Sequence, residues 1–140
     1  MDRKAHPRRI GRSISALLAG FLAGIILSLA TDSALRAIGL FPALSQPMSD
    51  RLLLLATAYR AVYAVISSYI IARLAPDRPM EHALVGGVVG LVVSIVGATA
   101  TWNLGLGPHW YPVALIVLAM PPAWIGGKLR MMQLDAQTAS

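Results

Sequence analysis

The stretch LATAYRAVYAVISSYIIARL, residues 55–74, is long and apolar enough to cross a bilayer as a helix, yet it carries Arg60 inside the run. A hydrocarbon core about 30 Å thick needs roughly 20 helical residues. A cation near its centre costs ~2.5 to 3.5 kcal/mol even on insertion scales. If this segment spans a membrane, Arg60 must reach water or a counter-charge; if it does not, the chain has lost one of its longest apolar segments.

Composition favours the membrane. Hydrophobic residues make up 56% of the 140, charged residues only 13%, and the mean hydropathy is +0.66, outside the usual range of a soluble domain. The net charge of +6 and pI near 10.5 belong to basic residues at the ends of apolar runs. No basic stripe marks a nucleic-acid surface, so these residues read as topology signals and the bilayer is the expected partner. The absence of cysteine excludes disulfides, thiolate nucleophiles and thiolate metal sites.

Four stretches qualify as spans, at about residues 13–38, 52–74, 81–101 and 110–129. Each is continuous rather than alternating, and an unpaired strand would leave its backbone unsatisfied in lipid, so all four are expected to be helices. A secretory signal is a poorer reading of the first: its apolar stretch exceeds the ~7 to 15 residues of a signal core, and three spans follow. Gly39 with Pro42 beyond it marks a left-handed helix end, and Ser49 or Asp50 the next helix start. Residues 1–12 form a basic N-terminal segment, and the polar tail 130–140 reads as disordered.

Orientation follows from lysine and arginine. Arg3, Lys4, Arg8, Arg9, Arg12, Arg73, Arg78, Lys128 and Arg130 fall on one side, against Arg36 and Arg51 on the other. Both termini are therefore expected in the cytoplasm, with Trp102, Trp110 and Tyr111 at the outer interface.

A shift of 66 positions lays Gly20 on Gly86, Gly24 on Gly90, Ser28 on Ser94, and GLFP at 39–42 on GLGP at 105–108; a shift of 55 lays YIIARL on WIGGKL. The expected architecture is thus an all-α membrane protein of two tandem helical hairpins, related by an axis along the membrane normal. Gly20, Gly24 and Ser28, and likewise Gly86, Gly90 and Ser94, form small-residue ladders that permit close helix approach. The first and third helices are expected to meet there, with a homodimer as the lesser alternative. Pro121 and Pro122 remove two amide donors from the fourth span, which should kink.

Arg60 lies about 12 Å along its helix from Leu52 and, leaning toward the helix N-terminus, can snorkel outward. Tyr63 and Ser67 follow on the same face. Asp32, near the outer end of the first helix, is the expected counter-charge, although Arg36 competes for it at i+4. The candidate polar site is thus Arg60, Asp32, Tyr59, Tyr63 and Ser67. It is either an ion pair that fixes helix register or the floor of an outward cavity, completed by the aromatic third loop, that binds an anion or lipid headgroup.

His6, His82 and His109 are scattered over both sides of the membrane by this topology, so no shared metal site is expected. No carboxylate pair, nucleophile elbow or phosphate loop occurs. Neither an enzyme nor a cofactor is expected. The segments TDSALRAIGLFP, QPMSD, ATAYRAVY, ARLAPDRPMEHAL and HWYP resemble a group of small four-helix bacterial inner-membrane proteins described only as hypothetical. The resemblance spans about residues 31–129 and implies a bacterial cytoplasmic membrane, but no activity, ligand or catalytic residue. The leading functional expectation is a non-enzymatic structural or interaction component of that membrane. The runner-up is a small transporter or channel subunit binding an anionic or amphipathic solute near Arg60, which in so small a chain would favour a dimer or larger assembly. A third reading is an accessory subunit whose basic N-terminus touches anionic lipid or a partner.

Overall fold

The structure, a computed structural model, describes residues 6–140. Helix α1 covers His6–Ala37, α2 Asp50–Leu74, α3 Pro79–Thr101, α4 Trp110–Val117 and α5 Met120–Thr138. With α4 and α5 taken as one interrupted segment, four helices are long and apolar enough to cross a membrane. Their large apolar side chains point outward: along α1, Leu18, Leu22, Ile26 and Leu29 are all more than half exposed. Such a surface suits contact with lipid.

Two helix ends follow the local chemistry. Gly39, at φ 77°, turns the chain after α1, where the Leu40 and Phe41 amides both donate to the Leu35 carbonyl. Gly105, at φ 64°, turns it after α3. Ser49 takes the N-cap position of α2 in extended conformation, but its side chain caps nothing. Asp50 instead accepts a hydrogen bond from the Trp110 indole at 3.1 Å, which ties the start of α2 to the start of α4. Between α2 and α3, Arg78 adopts φ 42°, consistent with Pro79 disfavouring the right-handed helical region for the residue before it.

The fourth span breaks, as its prolines require. Helix α4 ends at Val117 and α5 begins at Met120, placing Pro121 and Pro122 in the first turn of the new helix, where missing amides cost nothing. Leu118 and Ala119 bridge the break by bonding back to Ala114 and Ile116.

Several boundaries move. Helix α1 starts at His6, within the segment assigned to a basic N-terminus; Arg3 and Lys4 lie outside the described residues. The tail expected to be disordered is helical to Thr138. It is held by Gln133, which accepts hydrogen bonds from Tyr69 of α2 at 2.7 Å and from Arg130 at 2.8 Å. Polar composition alone says nothing of such a tie.

The small-residue ladders do not join α1 to α3. Helix α2 is central, packing on α1, α3 and α5, whereas α1 rests almost wholly on α2. A Cβ on Gly20 would stand 2.7 Å from the Ser67 carbonyl oxygen of α2, and one on Gly86 would meet Ile71 of the same helix at 2.7 Å. Gly90 faces open space. Equally close approaches use other glycines: Gly126 of α5 lies against the α2 backbone at Val65 and Tyr69, and Gly127 lies against Met80 and Ala83 of α3. Helix α3 packs on both α2 and α5, whereas α1 has no comparable contact with α5, so the two hairpins pack unequally.

That inequality opens a groove. Near the chain termini α1 and α3 are pinned, by a 2.8 Å hydrogen bond between Ser13 and His82 and by Leu17 against Gly86. Toward the other end a cavity of about 410 Å³ lies between them, floored by α2.

Candidate functional site

Asp32 sits one turn from the end of α1 and is only 7% exposed. Burying a carboxylate unpaired would be prohibitive, and two residues of α2 answer it. Arg60 Nη2 donates to Asp32 Oδ2 at 2.8 Å, and the Tyr59 hydroxyl donates to Oδ1. Adjacent residues on one helix thus hold both carboxylate oxygens. Arg36 makes no ion pair with Asp32; among the described residues it pairs with no carboxylate, and its Nε is buried without a hydrogen-bond partner.

The network extends to a third helix. Arg60 Nη1 donates to the Tyr111 hydroxyl of α4, and the guanidinium carbon lies 5.8 Å from the centre of that ring, within cation–π range. One turn below, the Tyr63 and Thr31 hydroxyls are 2.7 Å apart, while Thr31 donates to the Leu27 carbonyl at 2.8 Å. A hydroxyl has one proton, so Tyr63 is the donor to Thr31. The Tyr59 and Tyr63 rings are tilted against each other with centres 5.6 Å apart. Three helices, α1, α2 and α4, are thus joined through one network of side-chain hydrogen bonds.

The cluster borders two cavities. One is the groove between α1 and α3. The other, of about 470 Å³, is a vestibule under the α1–α2 and α3–α4 loops, enclosed by residues such as Phe41, Gln46, Trp102, His109 and Tyr111. The loops are joined by a 3.4 Å bond from the Met48 amide to the Leu106 carbonyl, and Trp102 stacks on His109 with ring centres 4.4 Å apart. Asp32, Arg60, Ser94 and Leu115 line both cavities. The ion pair therefore stands where the vestibule meets the groove.

The five residues singled out in the sequence are divided by the structure. Asp32 and Arg60 meet; Tyr59 turns to Asp32 and lines neither cavity; Tyr63 and Ser67 line the groove, not the vestibule. No cavity lined by Tyr59, Tyr63 and Ser67 together forms: the vestibule is built from loop residues with Arg36, Arg60 and Tyr111. Tyr111 and Arg36 were not assigned to the site from sequence. Tyr111 has an aromatic-belt position and no local signal of its distant partner, whereas Arg36 is flagged by lying one helical turn from Asp32.

Among the described residues no three metal-ligating side chains converge. His82 bonds Ser13 near the termini and His109 sits in the loop between α3 and α4. The fold and the site define a multi-pass membrane protein with a charged cluster at the junction of two cavities. Compared with family models, curated proteins and solved structures, the chain gives no match.

Proposed function

We propose that this is a non-enzymatic inner-membrane protein that binds an anionic or amphipathic solute at the vestibule beside Arg60. The observation that carries this reading is the position of Arg60 and Asp32 between two cavities rather than in a packed helix interface. Both cavities fall within the roughly 300 to 1,000 Å³ of small-ligand sites. The charges around the vestibule are Arg36 and Arg60 against Asp32 alone, an excess of positive charge that favours an anion. With both termini in the cytoplasm, as the lysine and arginine bias favours, the vestibule faces the outer side. Four helices leave little room for a pore within one chain, so movement of solute across the membrane would favour a dimer or larger assembly.

A second reading, a structural or interaction component acting through helix contacts, draws on the completeness of the Asp32 pairing. It gives the vestibule no ligand, and a titration separates the two. For the purified protein in neutral detergent, inorganic phosphate or acetate should raise the melting temperature of the parent chain, by linkage, and leave that of Arg36→Gln unmoved. Equal responses of parent and variant, or none, would favour the structural reading.

A further inference from the structure

The groove between α1 and α3 has no assigned occupant, and its chemistry complements the vestibule. Away from Asp32, Arg60 and Tyr63 its walls are apolar or small, among them Gly24, Ile25, Leu29 and Gly90. A Cβ on Gly90 would meet nothing within 4 Å, so these small residues leave space rather than bring helices together. The groove opens sideways between α1 and α3, whose contacts named above lie near the termini, and Ile25 and Leu29 along it are more than half exposed.

At its upper end the groove meets the charged partition, where hydrogen-bonding capacity is left over. The Nε atoms of Arg36 and Arg60 are buried without partners. Tyr111, which accepts from Arg60, has no acceptor for its own proton among the described residues. Arg60 and Asp32 thus stand where the groove meets the vestibule, with Arg36 and Tyr111 on the vestibule side and one excess positive charge among the four.

Resting on the anion-binding reading above, we infer that the ligand is a long-chain anionic amphiphile: its acidic headgroup lies among Arg36, Arg60 and Tyr111, and a single hydrocarbon chain lies in the groove along Gly90. Charge complementarity selects the headgroup, and the lateral opening lets the chain enter from the bilayer without passing through water. Ser94, which lines both cavities, marks the crossing point between headgroup and chain.

The test uses the full chain in phosphatidylcholine nanodiscs with a photoreactive long-chain fatty acid, the crosslinked residues being located by mass spectrometry. Crosslinks should fall on α1 and α3 groove residues and be competed by oleate. Gly90→Leu, which fills open space, should lower crosslinking at least tenfold while leaving stabilisation by acetate or phosphate unchanged; Arg36→Gln should lower both. Undiminished crosslinking in Gly90→Leu overturns the inference but leaves the anion site standing, and the loss of acetate or phosphate stabilisation only in Arg36→Gln would show that separately. Competition by phosphatidylglycerol but not by oleate makes the occupant a two-chain bilayer lipid and overturns the single-chain assignment. Spontaneous disulfide dimers of Gly90→Cys in this otherwise cysteine-free chain would show a second copy seated in the groove, and would overturn it too.

Discussion

Asp32→Ala is expected to destabilise the protein by about 3 kcal/mol, read as a lower unfolding midpoint in mixed detergent micelles. Removing one member of a buried ion pair typically costs 3 to 5 kcal/mol, because the remaining charge is left uncompensated. The lower end applies here, since the Arg60 side chain retains 31% of its exposure and can turn into the vestibule. Tyr59 would also lose its acceptor. Arg60→Ala is expected to be at least as damaging, because Asp32 is the more deeply buried partner. The double variant should cost less than the two singles together, since neither charge is then orphaned. Strict additivity would mean that the two side chains do not act as a pair.

Gly126→Val should be comparably severe, at about 3 kcal/mol. A Cβ at this position would stand 2.7 Å from both the Tyr69 amide nitrogen and the Val65 carbonyl oxygen. Both are backbone atoms of α2, which cannot turn aside as a flexible side chain can. The helices must separate, and overpacking of this kind costs 1 to 3 kcal/mol or occasionally more. Helix propensity acts in the opposite direction but by less than 1 kcal/mol, so the clash decides the sign. Gly90→Ala is the control: with open space around it, propensity alone remains and the variant should be neutral or stabilised by about 0.5 to 1 kcal/mol. Equal losses at the two glycines would contradict the helix arrangement described above.

The contrast between those glycines marks the limit of what the sequence discloses. Continuity of apolar residues was enough for four spans, because lipid leaves the backbone few alternatives. The turn after α1 was legible for a similar reason: Gly39 tolerates a positive φ that other residues resist. Arg60 and Asp32 could be matched by their heights in adjacent helices, since helical rise is fixed. Which face a glycine ladder presents, and to whom, depends on where the neighbouring helices stand. Gly90 therefore reads as a contact and is a gap, whereas Gly126 and Gly127, which belong to no ladder, form a tight joint with α2 and α3. Tyr111 eluded sequence reasoning because a hydrogen bond between α2 and α4 has no local signature. The helical tail eluded it because one residue, Gln133, anchors a segment whose composition is otherwise that of a loop.

The most direct test of the central claim, a solvent-reached site at the junction of the two cavities, uses the absence of native cysteine. Three single variants, Ser45→Cys in the α1–α2 loop, Ser94→Cys at the junction and Ala123→Cys in the α3–α5 interface, would be exposed to a membrane-impermeant thiol reagent on intact cells. Ser45→Cys and Ser94→Cys should label, Ala123→Cys should not, and added phosphate or a carboxylate should slow only the Ser94→Cys reaction. If Ser94→Cys is as inert as Ala123→Cys while Ser45→Cys labels, water does not reach the Arg60 partition, and the proposed binding site is contradicted.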